Sequence, residues 1–288
     1  MIAISGLTKR YRDVLAVDDL SLEVPSGSVC GLLGRNGAGK TTTFKCLLGF
    51  ARPDEGTIRF DGAPLAPETF KRLGYVPERP ALYTWLTVAQ HLEIARRTQP
   101  AYDDAYAKEL LATFRLDGRK KAGKLSKGQQ TALALIFALS SRPPILLLDE
   151  PASGLDPVMQ RVVLDLLIDA ATNGAAILLS SHQIGQIDRA ADRVAIMRDG
   201  KVVVSGDLDA LRESSRVVEA TFVGTVPDLG ELKSMKIEQI GTNVRVHANG
   251  RADAVAARCG ALGAVGVRVL DRSLEDIFLE AVDDEGDR

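Results

Sequence analysis

Three short runs in this chain combine residue types that phosphate chemistry requires. The first, "GRNGAGKT", spans Gly34, Arg35, Asn36, Gly37, Ala38, Gly39, Lys40 and Thr41 and fits the pattern G-x-x-x-x-G-K-[ST]. Its glycines let backbone N–H groups converge on phosphate oxygens, and a helix starting at Lys40 adds its positive end. Lys40 can reach β- and γ-phosphate oxygens, and Thr41 can ligate Mg²⁺. The second run, "ILLLDE", ends an apolar strand in two carboxylates: Asp149 suits a Mg²⁺ shell, and Glu150 can polarise an attacking water. Read alone, the pair could equally be two solvated charges at a strand end. The third, "KLSKGQQ", places Ser126, Gly128 and Gln129 at a helix start, where open N–H groups, a hydroxyl and the helix dipole form an anion site.

These runs need elements to hold them. Residues 1–24 alternate in the β manner around a turn at Arg12-Asp13, which predicts an antiparallel strand pair. "SVCGLLG" is a short apolar strand feeding the Gly-rich loop, and a helix should follow from Lys40 to about Gly49. Strands are expected at "GTIRFDG" and "LGYVP", and helices over 87–97 and 103–114, which suggest a helical insertion. After "KLSKGQQTALALIFAL", strand "PILLLDEP", helix 157–171, strand "AAILLSS", helix 184–190 and strands "RVAIMRDG" and "KVVVSG" follow. That alternation predicts an α/β fold with a mostly parallel sheet. Residues 217–271 then read as a small α+β module with a helix over 251–262. It closes on "SLEDIFLEAV", where Ser273 and Asp276 have capping-box spacing and Leu274, Ile277, Phe278, Ala281 and Val282 share a face. The tail "DDEGDR" reads as frayed.

Composition narrows the function classes. A net charge of -2 over 288 residues gives no global basic field, so no nucleic-acid partner is expected. Cys30, Cys46 and Cys259 lack metal-ligand spacing and read as free core thiols of a reducing compartment. No run approaches the roughly 18 apolar residues of a membrane span, so a cytoplasmic location is expected and any membrane role requires a partner.

With Gly34–Thr41, "LSKGQ", "LLLDEP", "SGLDP" and His182 in "LLSSH", in that order, the chain resembles the nucleotide-binding subunit of an ABC transporter over residues 1–215. The resemblance implies the ABC ATPase fold: a RecA-like P-loop core, an antiparallel β subdomain and a helical subdomain at about 80–140, with residues 216–288 as a small C-terminal α+β accessory domain. It implies ATP and Mg²⁺ as ligands. Tyr11 would stack on adenine, and Asn36 to Thr42 would wrap the triphosphate. Glu150 would be the catalytic base and His182 the γ-phosphate switch, although a lone histidine at a strand end is commonly structural. Asp156 would communicate across a dimer. Ser126, Gly128 and Gln129 would complete the ATP site of a second nucleotide-binding subunit, in a homodimer or heterodimer. The implied partner is a transmembrane permease that holds the chain at the cytoplasmic face. The ending "SLEDIFL" resembles ATPases paired with ABC-2-type exporters, including drug exporters. The alternative is a soluble ABC ATPase in a non-transport process.

Two positions depart from the family pattern. Lys127 stands where glycine is usual, its ammonium directed either at a phosphate or to solvent. Glu78 stands where a glutamine Mg²⁺ ligand is usual; it either keeps that role or is a loop charge paired with Arg79. Nearby, "RPALYTWLTV" concentrates Leu82, Tyr83, Trp85 and Leu86, either as a groove for a permease helix or as local core.

Overall fold

A computed structural model describes residues 1–283, so the expected frayed tail lies outside the described residues beyond Asp283. The described chain divides into two compact units, Met1–Ser205 and the part from Gly206 on.

The first unit opens with β1 (Ile2–Tyr11) and β2 (Val14–Val24), followed by β3 (Ser28–Gly34), α1 (Lys40–Leu47), β4 (Glu55–Phe60) and the two-residue β5 (Ala63–Pro64). Arg12, at φ 51°, turns β1 into β2 in the register Tyr11↔Val14. The expected strand pair is part of a four-stranded sheet of order β2-β1-β4-β5. Alternation sends Ile2, Ile4 and Leu7 of β1 and Val17, Leu20 and Leu22 of β2 into a shared core with Phe44 and Leu47 of α1.

A short α2 (Pro67–Phe70) leads to β6 (Leu73–Val76), then α3 (Val88–Thr98), α4 (Asp104–Thr113) and α5 (Lys127–Leu139) form the helical insertion. The chain returns as β7 (Ile145–Asp149), α6 (Pro157–Thr172), β8 (Ala176–Ser180), α7 (Ile184–Ala190), β9 (Arg193–Arg198) and β10 (Lys201–Asp207). Their sheet runs β10-β9-β3-β8-β7-β6, with parallel pairing from β9 through to β6. β7 and β8 are buried at every residue, which is why both read as unbroken apolar runs. Asp199-Gly200, both at positive φ, close the β9–β10 hairpin. The parallel register aligns Asp149 of β7 with Ser180 of β8 at the strand ends.

In the second unit, α8 (Leu208–Ser214) precedes β11 (Val217–Thr221), β12 (Ile237–Ile240), β13 (Asn243–His247), α9 (Ala252–Ala261), β14 (Gly266–Leu270) and α10 (Leu274–Asp283). The sheet order is β12-β13-β11-β14, antiparallel throughout. Val218, Ala220, Val244 and Val246 pack with Val255 and Cys259 of α9. At α10, Ser273 and Asp276 bond reciprocally through backbone N–H groups at 3.0 and 3.1 Å, and Leu274, Ile277 and Val282 are buried. The helix α8 was not legible in advance, because "LDALRES" is too short to show a period.

Among the described residues no helix is long and apolar enough to cross a membrane.

Candidate phosphate and acid–base site

Phosphate chemistry concentrates where β3 enters α1. Gly39 has φ 106°, and a Cβ there would lie 2.4 Å from the Ala16 carbonyl oxygen, so only glycine lets the loop settle against β2. α1 has no side-chain cap, which leaves its first N–H groups open. Lys40 folds back over the loop, its Nζ donating to the carbonyls of Gly34 at 2.6 Å and Arg35 at 3.2 Å. Burial lowers its pKa, and the nearby Glu150, Asp149 and Glu78 carboxylates oppose that shift.

The loop floors a cavity of about 640 Å³, a size that suits a small-molecule ligand. Asn36 to Thr42, Glu78, Asp149, Glu150 and His182 all line it. Glu78 thus joins the site from the segment after β6.

The acidic wall is built by β7 and β8. Ser180 Oγ donates to Asp149 Oδ1 at 2.6 Å, while the Glu150 N–H reaches Ser180 Oγ and the Ser180 carbonyl, both at 3.2 Å. Glu150 sits at φ 54°, in the left-handed region that is uncommon for a residue with a side chain. Its Oε2 lies 2.8 Å from His182 Nδ1. Burial raises the Asp149 pKa; the Ser180 hydrogen bond and Lys40 work against this, and Glu78 adds to it.

Several cavity residues were not singled out from sequence. Val14 to Ala16, Asp199 and Gly200 line the wall beside Ser153 of the "SGLDP" run, and Ser180 joins the two carboxylate positions. Only Ser180 left a signal, as a polar residue ending an apolar strand beside His182.

Other expected residues lie outside the cavity. Tyr11, 44% exposed, has Lys9 Nζ 5.4 Å from its ring centroid and pairs across the turn with Val14, which lines the cavity. Gly34 and Arg35 contribute carbonyls to Lys40 and no lining surface. At the start of α5, Ser126 Oγ accepts from the Gln129 N–H at 3.2 Å and Gln129 Oε1 accepts from the Ser126 N–H at 3.2 Å, a reciprocal cap. Gly128 is close-packed, since a Cβ there would lie 2.7 Å from the Gly154 carbonyl. Asp156 caps α6, accepting from the Val158 and Met159 N–H groups at 2.9 and 3.0 Å.

Lys127 is exposed, as one of its two expected directions requires, and it also makes local contacts. Its stem lies along Gly154, with Cδ 3.0 Å from where a Gly154 Cβ would stand, and its Nζ donates to Ser153 Oγ at 3.2 Å. Tyr83 and Trp85 are exposed, with ring centroids 5.3 Å apart, which sets aside local core as their role.

Among the described residues no three His, Cys, Asp or Glu side chains gather into a cage for a metal. Mg²⁺ does not demand one, because it is commonly held by one or two carboxylates together with phosphates and water. Thr41, Asp149 and Glu78, which all line the cavity, are hard oxygen donors of that kind, so the residues present fit the ion.

Comparison with known proteins places these observations in a family. Residues 17–153 match the model of the ABC transporter family. The chain is 37% identical to an uncharacterized ABC transporter ATP-binding protein of Bacillus subtilis, over 74% of each chain. It is 34% identical to a Nod factor export ATP-binding protein I of Burkholderia lata, covering 95% of this chain and 94% of the relative. Identity is 31% with a daunorubicin resistance ATP-binding protein of Streptomyces coeruleorubidus, over 99% and 96%. Among solved structures, an ATP-binding subunit of an ABC transporter aligns with TM-score 0.69 and 32% identity, over 74% of this chain and 92% of that one. A dimeric bacterial ABC transporter cassette aligns with TM-score 0.64 and 25% identity, over 72% and 99%.

Proposed function

This chain belongs to the ABC transporter ATP-binding family, whose members hydrolyse ATP, dimerise and work with membrane components, and from that premise we propose that it powers an ABC-2-type exporter through a separate permease. The export relatives, which match nearly the whole chain including the C-terminal unit, support this subtype. Attachment to the permease would hold the chain at the cytoplasmic membrane face.

The observation that carries the catalytic reading is the 2.8 Å pair of Glu150 and His182 on the wall of the P-loop cavity. ATP enters with its phosphates against the loop N–H groups, and Lys40 exchanges its two loop carbonyls for β- and γ-phosphate oxygens. Glu150, its backbone fixed by Ser180, orients a water for in-line attack on the γ-phosphorus. His182, more exposed than Glu150, can hold that carboxylate or turn to a γ-phosphate oxygen. Mg²⁺, held by Thr41 and Asp149 with Glu78 beside them, would supply charge neutralisation at the phosphates.

Ser126, Gly128 and Gln129 point to a two-chain site, because they lie outside the cavity of their own chain while retaining a capped, positive helix end. In a head-to-tail dimer this end would meet the γ-phosphate held by the other copy. The test is Glu150→Gln with saturating Mg-ATP. Loss of steady-state hydrolysis together with a dimer on size exclusion supports the reading. Retained hydrolysis removes Glu150 as the base, and a persistent monomer counts against the two-chain site.

A further inference from the structure

The C-terminal sheet has one face covered by α9, and its other face carries an ordered charge row. Pairing of Glu238 with Arg245, Arg245 with Glu219 and Glu219 with Arg268 sets four side chains side by side across β12, β13, β11 and β14. Their signs alternate: minus, plus, minus, plus. The residues one step along each strand, Val218, Val244 and Val246 among them, belong to the core, so the row lies on the opposite face. Glu280 of α10 reaches Lys236 at 2.8 Å and His247 at 3.7 Å, which occupies one end of that face. The rest forms a concavity of about 440 Å³ lined by the charge row and by Ile240, which is 75% exposed.

The row is satisfied unevenly from within. Arg245 Nε bonds Glu219 Oε1 at 2.6 Å, and Glu238 reaches His247 Nε2 at 3.1 Å. Arg268, at the edge strand, has no partner among the described residues.

We propose that this face docks onto the same face of a second copy of the chain, about a two-fold axis parallel to the strands. Such an axis reverses the order of the row, so Glu238 meets Arg268 of the other copy and Arg245 meets Glu219. All four facing positions are then opposite in sign, and each contact occurs twice, as an isologous interface requires. A two-fold axis running along the row instead sets every residue against its own counterpart, and that arrangement is repelled. The alternation therefore selects both the occupant and the axis. Ile240, beside the row, supplies apolar surface for the contact to cover.

This contact does not use the nucleotide cavity, so it is read on the nucleotide-free full-length chain by sedimentation velocity across a concentration series. Wild type should form a reversible dimer that weakens as salt is raised. Glu238→Arg puts Arg against Arg and Arg268→Glu puts Glu against Glu, so each variant alone should dimerise about tenfold more weakly or worse. An equimolar mixture of the two restores opposite signs at those positions and should form a heterodimer. That recovery also shows both variants are folded. A wild type monomeric throughout, a single variant that associates like wild type, or a mixture that stays monomeric would each overturn the proposal.

Discussion

Nδ1 of His182 and Oε2 of Glu150 lie 2.8 Å apart on the wall of the cavity floored by Gly37 to Lys40. The two residues are 32 positions apart in the chain, and β7 and β8 bring them together by running parallel to ends that coincide at Asp149 and Ser180. Glu150 thereby has a defined side-chain partner.

If Glu150 orients the attacking water and His182 orients Glu150, their losses should overlap. Glu150→Gln should reduce kcat by roughly 10²- to 10⁴-fold, the usual contribution of a positioned base. His182→Ala should cost less, and the double variant should be no slower than Glu150→Gln alone. Single-turnover ATP hydrolysis measures all three. Additive losses would mean that the residues act separately.

Glu78 shares the cavity with Thr41 and Asp149, so it should tune the metal requirement. Glu78→Ala should raise the Mg²⁺ concentration for half-maximal hydrolysis, and Glu78→Gln should lie between Ala and wild type. An unchanged Mg²⁺ titration in Glu78→Ala would leave Glu78 as a loop charge.

Lys127 tests what its contacts contribute. Lys127→Met keeps the stem over Gly154 and removes the bond to Ser153, so urea unfolding should shift by less than about 0.5 kcal/mol, as for an exposed polar contact. Lys127→Gly also uncovers Gly154 and puts glycine into the first turn of α5, at a cost of about 1 kcal/mol. Equal losses in the two variants would mean that the ammonium, and not the stem, matters.

Tyr83 and Trp85 expose 53% and 66% of their surface beside α3, as an apolar helix-docking patch would. Replacing both by Ala should leave the ATPase of the isolated chain within about twofold and abolish co-purification with the permease. Undiminished co-purification would place the docking surface elsewhere.

Acid should weaken the C-terminal unit through Glu280. Burial by itself would raise this carboxyl, but hydrogen bonds from Arg272 and Lys236 outweigh it and bring it down from its ordinary 4.5 to about 2. A depressed folded value means that the contribution is full above about pH 4.5 and is lost as pH falls toward 2. Denaturant midpoints of wild type should therefore exceed those of Glu280→Gln at pH 6, with the gap closing toward pH 2.5. A constant gap would show that the ion pairs are not the cause.

Much of the fold was readable in advance because its elements declare themselves locally. β7 and β8 are unbroken apolar runs, α10 carries its own capping box and apolar face, and "GRNGAGKT" is a contiguous loop whose glycines and lysine act through neighbouring backbone. The helical face of α10 was also correct residue by residue, since Leu274, Ile277 and Val282 are buried and Phe278 and Ala281 half-buried. The contacts of Lys127 were not legible, because they are made with the loop at Ser153 and Gly154, 26 positions and more along the chain.

The sequence by itself determined the phosphate loop, the run of parallel strands and the membership of a family, because each is written in contiguous residues or in the order of motifs. Only the tertiary structure decided that Ser180 ties Asp149 to the Glu150 backbone, that Glu78 joins the cavity, that the Ser126 helix end stays outside it, and that Glu238, Arg245, Glu219 and Arg268 form one alternating row. Strand register aligns Asp149 with Ser180 and sets the charge row, the other two follow from how loops and helices pack, and none of these is contained in a single segment.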